Sequence, residues 1–390
     1  MTANAALFTF ASPTDLILEI PANVQNQAYL HSQSFSHPSS GYQAYLNQLC
    51  LNVVLAWLQA DFAPQAKVSP NINALASFWE LVNGTAIVSD GIRFILVPSE
   101  AMDLSELRVP QEWVDISSLA GDYYLAVQVE PDEAYVRVWG YCSYEQLKNQ
   151  GSYDASDRTY SLDATDIISD INVLILARQL CPQESTPKAI PQLAALPQEQ
   201  AQNLIARLAN PEIITPRLAI PFQLWGALIE HGGWRQSLYQ RRLGLPEQWS
   251  VIQWLQNGVS QLAEKVGWGS LMQLSAVGAR SVEETQAQTI LSRQLAIAGQ
   301  TYELRILPQS EGESTIWRFE LRNAAVGAAI PGGFKLRLLT EDLQSFPNNE
   351  DIAITAVEQL FVEVALEPGE GIVWEIEPKS ENYDREILRF

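Results

Sequence analysis

Cysteine, histidine and methionine are scarce, with three of each in 390 residues. Cys50, Cys142 and Cys181 are odd in number and far apart, which excludes a disulfide framework and points to reduced, mostly buried thiols in a cytoplasmic chain. His31 and His37 lack a third partner nearby and read as polar surface residues rather than metal ligands. His231, in the run Glu230-His231-Gly232-Gly233, reads as a cation at a helix C-terminus, where it complements the dipole. Long apolar runs are also missing: the richest, residues 49–58, is short and broken by Asn52, so no membrane span is expected. Residues 1–10 lack the basic residues and long apolar core of a secretory signal. Cations are few, 24 Lys and Arg against 45 Asp and Glu for a net charge of −21, which disfavours a surface built to follow a phosphate backbone. The phosphate-cradling, dinucleotide, nucleophile-elbow and HExxH patterns are all absent. No catalytic residue, metal ligand or cofactor is therefore named.

What is present is a globular composition, 47% apolar and 18% charged, long enough for two or three domains. Four prolines between Cys181 and Pro197 remove backbone donors and mark a linker. A softer boundary lies near 275–284, where helical patterning gives way to small and polar residues. The segments carry net charges of −13 (1–183), +2 (184–280) and −10 (281–390). The expected architecture is a multidomain α+β chain. It comprises a mixed α/β N-terminal domain (1–183), a Pro-rich linker with a helical Trp-rich middle domain (184–280) and a C-terminal antiparallel β-sandwich (281–390).

Within the first segment, Tyr42, Tyr45, Leu46, Leu49, Cys50, Val53 and Trp57 follow helical spacing on a helix started by Ser40. Thr85–Val88 and Ile92–Val97 flank Ser89-Asp90-Gly91, a tight-hairpin signal. Tyr123–Val129 and Tyr135–Tyr141 form a second hairpin. A helix capped by Asp163 closes the domain. In the middle segment helices are expected over 221–230, 234–243 and 247–266, with Pro221 and Pro246 near their starts and Gly232 and Gly267 at ends. Five of the eleven Trp fall between Trp225 and Trp268. The last segment alternates apolar and polar residues in five short strands, with Trp317 and Trp374 in the core register.

The stretches 112–116 (EWVDI), 123–129 (YYLAVQV), 137–141 (RVWGY), 157–160 (DRTY), 330–340 (IPGGFKLRLLT) and 366–378 (LEPGEGIVWEIEP) carry a family resemblance. The chain resembles an uncharacterised cyanobacterial family, domain of unknown function eighteen twenty-two, over nearly its whole length. The resemblance implies a soluble cyanobacterial protein in a regulatory or signalling setting. It carries over no catalytic residue.

Two constellations remain. Asp154, Asp157, Asp163, Asp166 and Asp170 form the densest acidic set of the first segment, the basis for an enzyme of unfamiliar type. Helix-cap and turn chemistry accounts for Asp154, Asp163 and Asp166 without catalysis. On the helix over 234–243, Arg235, Tyr239 and Arg242 share one face with Arg241 beside them, a partner-binding surface for an acidic partner or an acidic part of the same chain. The helices spanning 234–266 also resemble a helix-turn-helix, but the second has no cation in its first two turns, so a DNA-binding regulator is the weaker alternative. The favoured reading is a non-enzymatic regulatory or scaffolding protein acting through protein–protein contacts.

Overall fold

The computed structural model describes residues 12–181, 190–274, 287–311, 314–380 and 383–390. Residues 1–10, most of the Pro-rich linker and the boundary at 275–284 lie outside the described residues. The chain divides into two compact units, Met1–Ala194 with Ala206–Glu230, and Ala195–Ile205 with His231–Phe390. Both contain helices and sheets, so the α+β class holds. The helices expected to make a middle domain are shared out between the two units. Within the second unit, the helices Val251–Asn257 and Gln261–Lys265 pack on the sheet that contains the strands Trp268–Leu274 and Ala287–Ile297.

The first unit runs through β1 (Leu16–Glu19), α1 (Ala22–Ser32), α2 (Pro38–Trp57), β2 (Lys67–Ser69), α3 (Leu75–Trp79), β3 (Thr85–Ser89), β4 (Ile92–Ser99) and β5 (Glu106–Pro110). There follow α4 (Glu112–Asp115), β6 (Tyr123–Glu130), β7 (Tyr135–Ser143), α5 (Tyr144–Gln150), β8 (Ser152–Asp154), β9 (Thr159–Asp163) and α6 (Ile171–Leu180). The division between units falls within α7 (Gln198–Leu208), and α8 (Phe222–Glu230) returns to the first unit.

Six strands form one sheet in the order β1-β7-β6-β4-β3-β2, and β5-β9-β8 form a second. The β3–β4 hairpin turns on Asp90 and Gly91, both at positive φ, as the expected turn requires. The β6–β7 hairpin contains a bulge: Ala126 pairs with Gly140 and Val127 with Val138, so Trp139 is the extra residue. Parallel pairing of β4 with β6 joins the two hairpins. Helix α2 packs on this sheet through Leu46, Leu49, Cys50, Val53 and Val54. Its cap is His37, whose Nδ1 accepts the Ser39 amide at 3.1 Å, in place of Ser40. Buried Asn47 ties α2 to the sheet, donating to Asn83 Oδ1 at 2.8 Å and accepting from the Gly84 amide and Thr85 Oγ1 at 3.1 Å each.

The second unit contains α9 (Gly232–Arg242), α10 (Val251–Asn257), α11 (Gln261–Lys265), β10 (Trp268–Leu274), β11 (Ala287–Ile297), β12 (Gln300–Glu311) and β13 (Ser314–Asn323). It ends with β14 (Lys335–Thr340), β15 (Glu350–Ile352), β16 (Gln359–Ala365), β17 (Gly371–Glu377) and β18 (Ile387–Arg389). Its antiparallel sheets, β10-β11-β12-β13-β16 and β15-β14-β17-β18, contribute to one apolar core. Leu304, Ile306, Phe319 and Leu321 enter it from the first sheet, and Leu336, Leu338, Trp374 and Ile376 from the second. Trp317 and Trp374 are inside, as the strand register predicts. Trp249 and Trp254 join them from the segment around α10. The single helix expected over 247–266 is broken: Gly258 sits at positive φ and Ser260 caps a new helix. One ion pair lies within this core. Arg293 meets Glu386, the Arg293 guanidinium stands 5.1 Å from the Trp374 ring, and Trp268 donates to Glu386 at 3.0 Å.

Candidate functional site

The basic set on α9 turns largely inward. Arg235, Tyr239 and Arg242 are 2%, 8% and 4% exposed, and of the four only Arg241 faces solvent. Of the two occupants expected for this face, the chain's own carboxylate meets Arg235, which forms an ion pair with Asp384. The open basic platform expected from spacing is therefore not what these three side chains build. Gly232 and Gly233 let the start of the helix lie against Asp384, Arg385 and Ile387, and that approach carries the arginine face into the unit.

His231 also differs from expectation. It follows the end of α8 and caps α9, with Nδ1 accepting the Trp234 amide at 3.4 Å. Burial, with Arg385 and Arg235 nearby, pulls its pKa down to about 3, so the ring is neutral rather than a helix-end cation. Of the thiols, Cys50 and Cys142 are buried and Cys181 is exposed. Burial pushes Cys50 up strongly and Cys142 to about 12, which leaves both as unreactive thiols at neutral pH.

The acidic set is divided among several tasks. Asp154 and Asp157 converge on Arg108, at 3.1 and 2.8 Å, and hydrogen bonds from Ser156 and then Arg108 hold Asp154 below the usual carboxylate range. Asp163 accepts the Thr165 amide at 2.9 Å and starts a short 3-10 turn. Asp170, rather than Asp163, caps α6, accepting the Asn172 amide at 2.9 Å. Among the described residues no group of three or more His, Cys, Asp or Glu side chains is placed to hold a metal ion.

A network unmarked by any local pattern sits elsewhere in the first unit. Buried Glu112 accepts Arg217 Nε at 2.8 Å, Arg217 Nη2 at 2.6 Å and Trp225 Nε1 at 2.7 Å. Arg217 also donates to the Arg158 carbonyl at 2.9 Å, and Arg158 to that of Ile220 at 2.6 Å. These partners lie between 59 and 113 residues apart in sequence, beyond any spacing argument. The donors converge on one carboxylate and the network closes on itself, so it fixes the segment before α8 and presents no free group to a ligand.

The surface of α6 is the least expected feature. Ile171, Leu174 and Arg178 face inward, while Val173, Leu176 and Leu180 are 48%, 55% and 71% exposed at i, i+3 and i+7. Before the helix Ile168 is also exposed, and Asp163 and Asp166, both exposed, and half-buried Asp170 precede α6 in the chain. A cavity of about 240 Å³ opens beside the last turn, lined by Phe62, Asp90, Ile92, Phe94, Arg178 and Gln179. The sequence signal was already visible: apolar residues occupy both faces of 171–180, more than one buried stripe needs. Among the described residues no helix is long and apolar enough to cross a membrane.

No curated protein and no solved structure matches the chain. A family model described as protein of unknown function (DUF1822) matches residues 18–389. With nearly every residue inside that match, the chain belongs to this family.

Proposed function

We propose that the chain is a non-enzymatic regulatory or scaffolding protein of the cyanobacterial cytoplasm that works through protein–protein contacts, and that the outer face of α6 is its docking surface. The observation that carries this reading is the exposed apolar stripe Val173, Leu176 and Leu180 on a helix whose inner face is already buried. A water-facing stripe at helical spacing is complementary to the apolar face of another helix. The carboxylates of Asp163, Asp166 and Asp170, which precede α6 in the chain, favour a partner helix with basic residues at the matching end. The cavity between Phe62 and Phe94 offers a recess for one bulky anchor side chain. Arg241 remains available to a partner as the solvent-facing member of the basic set on α9. The shared apolar core supports a β-sandwich arrangement of the second unit's two sheets.

The DNA-reading alternative has less support. Helix α10 spans seven residues and turns Val251 and Trp254 into the core, which leaves no long helix for a major groove. The enzyme alternative draws on carboxylates that serve separate caps and one arginine.

The test is co-purification from the native cell with the full chain and its Leu176→Glu/Leu180→Glu variant. Both positions are exposed, so the variant is expected to keep its circular dichroism and Tm while losing its specific partners. Competition with a synthetic Leu/Lys amphipathic helix is expected to displace the same proteins, and a Leu/Glu version to leave them bound. Recovery of an identical set by wild type and variant would exclude α6 as the docking surface.

A further inference from the structure

Among the described residues β5 is an edge strand: its sheet runs β5-β9-β8. The pairing with β9 shows which of its backbone groups are used. The Ala164 amide donates to the Ser105 carbonyl at 2.7 Å, and the Gln111 amide to the Arg158 carbonyl at 2.9 Å. With the two-residue period of an antiparallel ladder, the odd-numbered residues of β5 serve β9. Glu106 and Arg108 therefore turn their N–H and C=O groups to the opposite side. A groove of about 280 Å³ is lined by the unbroken run from Asp103 to Arg108 together with Val97, Val127 and Trp139. Alternate residues of a strand point to opposite faces, so an unbroken lining run means that the backbone edge itself is the wall. Trp139 is the extra residue of the β7 bulge, a device that re-aims a side chain.

We propose that this groove binds an extended basic peptide, which adds to β5 as a strand and seats one apolar side chain on Trp139. Main-chain hydrogen bonds to Glu106 and Arg108 supply the affinity common to such strand addition, and alternate side chains supply the selectivity. The inward neighbour on β5 is Leu107, so the peptide residue beside it is apolar. The outward neighbours are Glu106 and Arg108, and Arg108 is already engaged by Glu106, Asp154 and Asp157. Those three carboxylates and Asp103 against one guanidinium leave this flank acidic, which selects Lys or Arg at the alternate peptide positions. The groove is separate from the outer face of α6 and does not depend on it.

The probe is a fluorescein-labelled peptide Lys-Val-Lys-Phe-Lys-Val-Lys, titrated by anisotropy against the full chain. Saturable binding is expected, weakened about tenfold or more when the peptide amides on its bonding edge are N-methylated, because that change removes main-chain donors without altering charge. Trp139→Ala is expected to weaken binding by a similar factor, and Trp139→Phe, which keeps a ring in the lining, by less. The Leu176→Glu/Leu180→Glu variant is expected to bind the peptide as wild type does, which keeps this result independent of the α6 reading. The proposal is overturned if the N-methylated peptide binds equally well, if both Trp139 variants bind as wild type does, or if no binding is seen up to about 1 mM.

Discussion

The imidazole of His231 stacks on the Trp234 ring with centroids 4.3 Å apart, and the Arg235 and Arg385 guanidinium groups stand near it. Burial is the larger cause and the two cations the lesser, and both work against a second positive charge at this point. In the unfolded chain the same ring titrates near the ordinary value of about 6.5. Its folded pKa is therefore the lower of the two, and the unfolded state binds a proton that the folded state refuses. Stability from this residue is complete above about pH 6.5 and falls as pH drops toward 3. Between pH 7 and pH 4.5 the loss is expected to reach about 2–3 kcal/mol. Chemical denaturation of wild type and His231→Gln at both pH values measures it. The variant starts less stable but loses less on acidification, and equal losses would show that His231 is not buried neutral. The acidic residues titrate in both proteins, so only the difference between the two slopes reports on the imidazole.

Helix α9 owes its position to two residues without side chains. A Cβ on Gly232 would stand 2.6 Å from the Arg385 carbonyl oxygen, and one on Gly233 2.5 Å from Ile387 Cγ1. Alanine favours a helix over glycine by about 1 kcal/mol, but a clash with main chain is not relieved by a rotamer change. Gly232→Ala is expected to destabilise by about 1–3 kcal/mol in spite of that preference, read as a lower urea midpoint with an unchanged m-value. A rise in the midpoint would mean that the helix can stand off from Asp384 and Arg385. The sequence showed α9 through its periodicity but not its orientation. Arg235 and Arg242 looked like surface residues because arginine usually is, and the Gly-Gly pair that buries them read only as a helix end. The hairpins at Asp90-Gly91 and at 130–135 were legible because turn chemistry is local, as was the alternation of the C-terminal strands. The parallel pairing of β4 with β6 was not, since it depends on residues 100–122 crossing between them, and neither was the clasp of Glu112 by Arg217. The cap of α6 moved from Asp163 to Asp170 because Ile168 is drawn into a bridge with Tyr141, which holds the chain extended for one more turn's length. The outward stripe on α6 was written in the sequence as surplus hydrophobicity, but only the fold shows which face remains uncovered.

Across the whole molecule, 45 acidic side chains face 24 Lys and Arg, so even complete pairing would leave a large negative excess. The buried pairs Arg235–Asp384, Arg293–Glu386 and Arg217–Glu112 withdraw one carboxylate with each cation, so the exterior keeps the whole net negative charge. Charge of one sign opposes the compact state, and its range is set by salt, with a screening length of about 30 Å at 0.01 M and about 10 Å at 0.1 M. Raising NaCl from about 0.01 to 0.3 M is therefore expected to raise Tm, because long-range repulsion is screened while the buried pairs are largely shielded from added ions. A fall in Tm would mean that exposed attractive pairs such as Arg108 with Asp154 and Asp157 outweigh the repulsion. On the docking role proposed for α6, the same field governs recruitment. A basic partner is drawn in faster at low salt, whereas the apolar contact on Leu176 and Leu180 resists dissociation at any salt. Stopped-flow association should then slow with added NaCl at a nearly constant off-rate. In the Leu176→Glu/Leu180→Glu variant the order reverses, with encounter retained and the bound state lost.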